Sequence, residues 1–267
     1  METSRISVAA VGLSGDLRTA LRGVRELGLR GVELDARSGL DAGQMSQTGI
    51  RQVRKWLDDE GLLVAAVAFP TRGGYADPDR LEGRIAATKS AMELARDLGA
   101  AVVLNHIGDI PPPAAAGGEE KPDPRWNLLV EVLSDLGDWG HRVGARLSAE
   151  AGRSAPDDLL RLIEALPEGS LATHLVTGSL VVHGHDPVAA VARLGPLIAH
   201  VHATDAIAGA FKGRGRAVIL GSGHVDLPGV LAALEERGYR GWIGLEPVDG
   251  IGARAELADA VAALRAL

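Results

Sequence analysis

The chain has 267 residues, no cysteine, a formal net charge of −7, 46% hydrophobic residues and only 3% aromatic residues. The lack of cysteine excludes disulfides and thiolate chemistry. The acidic balance argues against a nucleic-acid binder that relies on a broad basic surface. No basic start precedes a long apolar run, and no stretch approaches the ~18–20 apolar residues of a membrane helix. We therefore expect a cytoplasmic protein with neither a membrane nor a nucleic-acid partner.

Short apolar runs alternate with longer amphipathic segments along the whole chain. Strands are predicted, in chain order, over 6–13, 31–36, 62–70, 101–108, 144–152, 170–178, 198–205 and 242–247. Helices are predicted to follow them over 17–28, 46–60, 77–98, 125–141, 155–166, 187–194, 226–237 and 253–267. Such alternation implies parallel strands joined by right-handed crossovers. Eight units in this length predict an α/β fold with one domain over 1–267, a (β/α)8 TIM barrel.

Two long loops interrupt this pattern. The Pro/Ala/Gly-rich stretch 109–124 is long for a compact domain, and it is either an active-site lid or a flexible insertion. The loop 206–224 carries Lys212, Arg214 and Arg216 just beyond the seventh predicted strand. These cations would lie over the mouth of a barrel, where they could hold a phosphate or carboxylate. An ordinary solvated basic loop is the alternative.

Polar residues occur near the ends of several predicted strands, the end of a TIM barrel at which active sites gather. They are Glu33, His106, Glu150, His202 and Glu246. Burying an unpaired carboxylate costs several kcal/mol, so Glu150, His202 and Glu246 together are hard to explain as packing. Two carboxylates and one imidazole from separate strands suit Mg²⁺, Mn²⁺ or Zn²⁺. For any single residue of the group, a buried ion pair is the alternative.

The seventh predicted strand reads IAHVHATD and carries two histidines at alternate positions. Successive side chains of a strand point to opposite faces, so His200 and His202 share a face. His202 is nearer the end where the strand becomes a loop. We expect His202 at the mouth of the barrel and His200 in an inner layer.

Six segments of the chain together resemble a known superfamily. They read ELGLRGVELD, ARDLGAAVVLNHIG, LSAEAG, GHDPVAAVARLGPLIAHVHATDA, LGSGHVDLPGVLAALEERGYRGW and IGLEP. The chain is similar to the sugar phosphate isomerase/epimerase superfamily, whose members are xylose isomerase-like TIM barrels. The resemblance covers nearly the whole chain and implies a small sugar or polyol as the partner. It leaves a homo-oligomer open.

The resemblance also implies a divalent metal ion, Mn, Mg, Co or Zn, held by a Glu, an Asp, a His and a second Glu. Matched motif by motif, the first Glu is Glu150, the His is His202 and the second Glu is Glu246. The two glutamates would also be the catalytic groups that transfer protons. This chain departs from the pattern on the sixth predicted strand.

The departure lies in LVTGSL, where the superfamily pattern has an Asp followed later by a His or Asn. Val176 occupies the Asp position, and Ser179 stands where a longer substrate contact is usual. Valine cannot bind a metal, so the implied metal site lacks one ligand and metal binding is in doubt. His174 lies two residues before Val176, on the same strand face and one layer deeper. It either substitutes as a ligand or is a satisfied core histidine.

Three functions stay open at this point. The first is a sugar or keto-polyol isomerase or epimerase that uses a divalent metal and two glutamates to move a proton next to a carbonyl. A keto-polyol dehydratase, a lyase, would use the same groups. The third is a non-catalytic sugar-binding or accessory barrel that has lost the metal, which Val176 and Ser179 favour. The residues expected to contact substrate are Glu33, His106, Ser179, Arg214 and Arg216.

Overall fold

The structure is a computed structural model, and it describes residues 5–37, 40–112, 123–248 and 253–267. The strands are β1 (Ile6–Ala9), β2 (Gly31–Asp35), β3 (Leu63–Ala68), β4 (Val102–Asn105), β5 (Arg146–Ala151), β6 (Leu171–Val176), β7 (Ile198–His202), β8 (Asp205–Ile207), β9 (Arg216–Val218) and β10 (Trp242–Leu245). The helices are α1 (Ala10–Leu13), α2 (Leu17–Glu26), α3 (Gln47–Glu60), α4 (Leu81–Asp97), α5 (Pro124–Val143), α6 (Pro156–Glu164), α7 (Thr177–Val182), α8 (Pro187–Leu194), α9 (Leu227–Glu236) and α10 (Arg254–Ala266).

Eight of the strands close into one parallel barrel. Their order around the barrel is β1, β10, β7, β6, β5, β4, β3 and β2. Apart from β8 and β9, strands that follow one another in the chain are neighbours in the sheet, and β1 pairs with β10 to close it. Helices cover the outside, and their apolar faces pack on the outer side of the strands in one continuous core. The predicted (β/α)8 TIM barrel is confirmed. None of the helices in the described ranges is long and apolar enough to cross a membrane.

Local sequence signals explain where the helices begin and end. The side chains of Asp16, Ser46 and Asp226 accept hydrogen bonds from backbone N–H groups in the first turns of α2, α3 and α9. Such N-caps satisfy donors that have no partner inside a helix. Gly61 and Gly144 end α3 and α5 at φ angles of 66° and 81°. Glycine adopts this left-handed conformation without a steric penalty.

Several predicted boundaries were wrong by two residues or more. The first strand ends at Ala9, where α1 begins, and the sixth ends at Val176, where α7 begins. Apolar runs such as AAVGL do not distinguish a strand from a short helix by periodicity. The helix predicted over 77–98 begins only at Leu81, because Arg80 takes a left-handed φ of 51°.

The loop predicted over 206–224 contains a small antiparallel hairpin. In it, β8 pairs with β9 from Asp205 opposite Val218 to Ile207 opposite Arg216. The carboxylate of Asp205, only 3% exposed, accepts backbone hydrogen bonds from Gly221, Gly223 and Val225 at 3.0, 2.7 and 3.1 Å. One buried side chain therefore holds the returning loop against the barrel.

The other predicted loop, 109–124, is only partly described. Its ends at 109–112 and 123–124 belong to the described ranges, and Pro124 is already the first residue of α5. Residues 113–122 lie outside the described residues, so the choice between a lid and an insertion stays a prediction.

Candidate active site and metal centre

A buried carboxylate organises the interior of the barrel. Glu33 comes from β2, and its Oε1 accepts hydrogen bonds from the Ser7 hydroxyl at 2.8 Å and from His200 Nε2 at 3.1 Å. Its Oε2 accepts from His202 Nε2 at 2.7 Å. Glu33, His200 and His202 are 3%, 0% and 4% exposed. Side chains from β1, β2 and β7 therefore meet in one buried network.

Gly244 makes room for this network. It lies on β10, directly opposite His202 in the ladder. A Cβ atom at Gly244 would lie 2.0 Å from Glu33 Oε1, 2.8 Å from His202 Cδ2 and 2.9 Å from His200 Nε2. Glycine is therefore required here by the close approach of a carboxylate and two imidazoles.

The same three side chains form a candidate metal triad. Glu33, His200 and His202 each place one ligand atom so that all three atoms lie within 4.8 Å of one another. Within the described parts of the chain, this is the one such group of three histidine, aspartate or glutamate residues. A carboxylate with two imidazoles is a donor set that transition metals accept.

The charges of Glu33 and His202 shift each other's pKa. Burial alone would raise the pKa of Glu33, but attraction to His202 and His200 holds it well below the usual range. Burial would lower the pKa of His202, but the charges of Glu246 and Glu33 raise it to about 9. Near neutral pH, Glu33 is a carboxylate and His202 an imidazolium. A metal that bound His202 would therefore have to displace its proton.

His202 connects the buried network to the mouth of the barrel. Its Nε2 is held by Glu33, whereas Nδ1 lies 3.5 Å from Oε2 of Glu246. The side chain of Glu246 is 44% exposed, in contrast to 6% for that of His202. One imidazole therefore has a buried carboxylate on one nitrogen and a solvent-accessible carboxylate on the other.

A cavity of about 440 Å³ opens next to Glu150, at the end of β5, and His106, Arg153, Ser179 and His183 are among its other lining residues. Glu150 accepts a hydrogen bond from the Ser179 hydroxyl at 3.1 Å and pairs with Nε2 of His106. Burial would raise the pKa of Glu150, but the hydrogen bond from His106 and nearby positive charge lower it to about 2. The hydrogen bond to Glu150 raises the pKa of His106 in return.

His174 lies between these two groups, opposite Glu150 on β5 and His200 on β7. Its ring contacts that of His202 edge to face, with centroids 5.1 Å apart. Its Nδ1 is buried and has no hydrogen-bond partner among the described residues. Burial, together with the charge of His202, lowers the pKa of His174 to about 3, so the ring is neutral at neutral pH.

The structure brings some of the predicted site residues together and separates others. His106, Glu150 and Ser179 line the cavity, and His202 and Glu246 are paired beside it. The charges of Glu150 and Glu246 both act on His202. Even so, in the described part of the chain only the Glu33 triad has its ligand atoms within 4.8 Å. The metal set Glu150, His202 and Glu246 stays a prediction.

Three predicted substrate contacts do not line the cavity. Glu33 is enclosed in the barrel, where Ser7, His200 and His202 occupy its oxygens. Arg214 and Arg216 are exposed on the hairpin formed by β8 and β9. These residues were expected in a loop over the mouth of the barrel, but they belong to the hairpin, which positions their side chains.

Sequence reasoning missed two residues. Ser7 holds Glu33, and its only signal was a polar residue inside the apolar run ISVA. His183, at the C-terminal end of α7, lines the cavity, and nothing in the local sequence indicated this.

Comparison with curated proteins finds distant relatives of similar length. An inosose dehydratase of Clostridium beijerinckii is 23% identical over 255 residues, which cover 87% of this chain and 83% of the relative. An inosose dehydratase of Geobacillus thermodenitrificans is 24% identical over 275 residues, covering 91% and 89%.

Solved structures share the fold at low identity. A xylose isomerase domain protein from Planctomyces limnophilus superposes with a TM-score of 0.84 at 22% identity, covering 98% of this chain and 95% of that chain. A xylose isomerase-like TIM barrel protein from Mycobacterium smegmatis in complex with magnesium gives 0.74 at 22%, covering 97% and 95%. A D-psicose 3-epimerase in the presence of D-fructose gives 0.71 at 15%, covering 91% and 84%.

The family comparison is decisive about membership. Residues 21–267, nearly the whole barrel, match the family described as xylose isomerase-like TIM barrel. This agrees with the closed eight-stranded sheet. The chain therefore belongs to the family of xylose isomerase-like TIM barrels.

Proposed function

We propose that this protein is an enzyme that moves a proton at the carbon next to the carbonyl of a small sugar or keto-polyol. The observation that carries the proposal is the position of His202. Its Nε2 is anchored on buried Glu33, and its Nδ1 faces Glu246 at the mouth of the barrel. A cavity containing the ionised carboxylate of Glu150 opens beside this pair.

The residues at the mouth fit a divalent cation. Glu150, His202 and Glu246 would hold it, with two carboxylates and one imidazole as donors for Mg²⁺, Mn²⁺, Co²⁺ or Zn²⁺. Metal-bound histidines commonly donate their second ring N–H to a carboxylate, the relation that His202 has to Glu33. Such an ion, when bound, supplies polarisation of the carbonyl and stabilises negative charge on oxygen. A structural neighbour that is 22% identical is described as a complex with magnesium, which supports a divalent ion as the metal to test.

The chain's own residues then divide the proton transfer. One of Glu150 and Glu246 removes the proton, and the other returns a proton on the opposite side of the reacting carbon. Glu150 is positioned to act as a base because it lines the cavity, where it pairs with His106 and accepts a hydrogen bond from Ser179. Glu246 is suited to exchange protons with solvent because its side chain is half-exposed. Ser179 and His106 also present hydrogen-bonding groups to the cavity.

A dehydratase is the second candidate, and the names of the curated relatives favour it. Proton removal next to a carbonyl is common to both reactions. In an isomerase or epimerase the second glutamate gives the proton back to carbon. In a dehydratase it gives a proton to a departing hydroxyl group, so that water leaves and a C=C bond forms. The two candidates therefore differ in the second step alone.

Deuterium exchange tests the shared first step. The metal-free protein is loaded with Mn²⁺ and incubated in D₂O with D-fructose, D-psicose or an inosose, and the sugars are analysed by NMR and mass spectrometry. We expect deuterium at the carbon next to the carbonyl. An isomerase or epimerase would also yield an isomer or epimer of the sugar, whereas a dehydratase would yield a product that has lost one water molecule. Glu150→Gln and Glu246→Gln should each lower the exchange rate by about 100-fold or more.

The control is Glu168→Gln, which removes an exposed carboxylate from the loop between α6 and β6 and should exchange like the parent. If the parent binds no divalent metal and incorporates no deuterium with any of these sugars, the enzyme proposal is wrong. A non-catalytic sugar-binding or accessory barrel would then be the better description. Mn²⁺ titration of Glu33→Gln against Glu246→Gln separates the two metal positions. A site confined to the buried triad would be unaffected by Glu246→Gln.

A further inference from the structure

We propose that His174 supplies the metal ligand that Val176 cannot, so that a divalent cation is held by Glu150, His174, His202 and Glu246. This inference rests on the proposed metal site at the mouth of the barrel. It assigns the site a composition of two carboxylates and two imidazoles.

The ladder places His174 among the other three side chains. His174 and Val176 are two residues apart on β6, so they share a strand face. Val176 lies directly opposite His202, whereas His174 lies opposite Glu150 on one side and His200 on the other. The imidazole is therefore next to Glu150 in the sheet and one layer below the position that Val176 occupies.

Contacts of the ring agree with this placement. The rings of His174 and His202 meet edge to face with centroids 5.1 Å apart. His174 is 4% exposed, and the charges of His202 and Glu150 are the largest electrostatic influences on it. His174 is thus part of the same cluster as two of the proposed ligands and is shielded from bulk water.

Its unsatisfied nitrogen is the observation that points to a ligand. Nδ1 of His174 is buried without a hydrogen-bond partner in the described part of the chain. Buried polar atoms nearly always find a partner, and an orphaned one needs an explanation such as an absent ion. The ring nitrogens of histidine are the commonest metal ligands in proteins.

The changed donor set has a consequence for metal choice. Oxygen donors suit Mg²⁺, whereas imidazoles suit Zn²⁺ and other transition metals. Replacing a carboxylate by a second imidazole should therefore shift preference from Mg²⁺ towards Zn²⁺ and Co²⁺. In the structure Glu150 pairs with Nε2 of His106, and the four proposed ligand atoms are not among the described groups that lie within 4.8 Å of one another, so binding the ion requires these side chains to move.

The test counts imidazoles at the bound ion. The metal-free protein is loaded with Cu²⁺, and pulsed EPR reports how many histidine nitrogens couple to it. Calorimetric titration with Zn²⁺ and Mg²⁺ reports affinity. The variants are His174→Gln, His200→Gln and the control His141→Gln, which removes an exposed histidine from the last turn of α5.

We expect two coupled imidazoles in the parent, in His200→Gln and in His141→Gln, but one in His174→Gln. Zn²⁺ affinity of His174→Gln should fall by at least about tenfold, since losing even an outer partner of a ligand costs that much. Adding Val176→Asp to His174→Gln should restore Mg²⁺ binding, because it supplies an oxygen donor at the mouth.

Two outcomes overturn the inference, and the first of them leaves the proposed metal site standing. One is a parent with a single coupled imidazole, a result that needs no variant to fold. The other is a folded His174→Gln that keeps two imidazoles and its affinity; loss of one imidazole in His200→Gln would then identify the buried triad. A parent that binds no divalent ion overturns both this inference and the metal part of the proposed function.

Discussion

Gly244→Ala should damage the interior of the barrel although it adds one methyl group. The new Cβ would lie 2.0 Å from Oε1 of Glu33, and real Cβ atoms essentially never approach closer than 3.0 Å. The carboxylate must therefore retreat by about 1 Å or more. Hydrogen bonds of 3.1 Å to His200 and 2.7 Å to His202 cannot both survive that movement.

The cost follows from the charges involved. Hydrogen bonds to charged groups contribute about 1.5–3 kcal/mol each, and breaking a buried ion pair costs about 3–5 kcal/mol. We therefore expect the free energy of unfolding of Gly244→Ala to fall by about 3–5 kcal/mol, measured by urea denaturation near neutral pH. The pKa of His202 should fall as well, because Glu33 is one of the charges that raise it. NMR titration of its ring protons measures this shift.

Two further variants make the reasoning refutable. Gly83→Ala lies in α4 with nothing within 4 Å of the added Cβ, and it should stabilise the protein by about 0.5–1 kcal/mol. Glu33→Ala removes the nearest of the three atoms that the new methyl group meets, the one at 2.0 Å, and leaves the two imidazole atoms at 2.8 and 2.9 Å. Gly244→Ala should therefore cost much less in the Glu33→Ala background than alone. Loss of under about 0.5 kcal/mol in Gly244→Ala, or full additivity of the two changes, would show that the close approach is not what requires glycine.

Three further predictions concern His174, Glu150 and Asp205. Because His174 has a pKa of about 3 when folded and 6.5 when unfolded, acid favours unfolding, and stability should fall by about 2 kcal/mol from about pH 7.5 to about pH 5. His174→Leu should flatten this denaturation profile, and an unchanged profile would contradict the buried neutral ring. Glu150 has a pKa of about 2 against an ordinary 4.5, so its contribution is present above pH 4.5 and is lost as the pH falls towards 2. Glu150→Gln should lower the slope of stability against pH in that interval by up to about 1.4 kcal/mol per pH unit, and a slope equal to the parent's would refute this. Asp205→Ala leaves three backbone N–H groups without their acceptor, so hydrogen exchange at Gly221, Gly223 and Val225 should accelerate by about tenfold or more, whereas unchanged protection would mean that the loop holds itself.

Periodicity was sufficient to predict the barrel because alternation of apolar runs and amphipathic helices is a local property. Each strand–helix unit carries its own pattern, and eight such units close in a single way. Boundaries failed where local signals conflict. The backbone of Arg80 is the clearest case, since a left-handed residue other than glycine has no sequence signature.

The candidate site was harder to predict because its geometry is decided between strands. Alternation within one strand places His200 and His202 on the same face, and both contact Glu33 in the structure. The contact between Glu33 and His202 depends instead on the absence of a side chain at Gly244, because a Cβ atom there would clash with the Glu33 carboxylate. Gly244 lies on another strand, 211 positions further along the chain. No pattern within either strand contains that information.

The missing carboxylate at Val176 and the buried imidazole of His174 can be explained by a single change in the metal site. From the sequence, Val176 indicated a metal site that lacks one ligand. The sequence pattern gives the position of the expected ligand, but it does not show which other side chains lie close to the site. In the barrel, the residue two positions earlier is a buried, neutral imidazole with an unpaired nitrogen, in contact with His202. Leaving a buried ring nitrogen unpaired costs about 1–3 kcal/mol, and Nδ1 is unpaired in both His174 and His200. That free energy is recovered if an ion binds to the unpaired nitrogen of His174. A ligand one layer deeper in the barrel would then explain both the missing carboxylate at position 176 and the unpaired imidazole nitrogen.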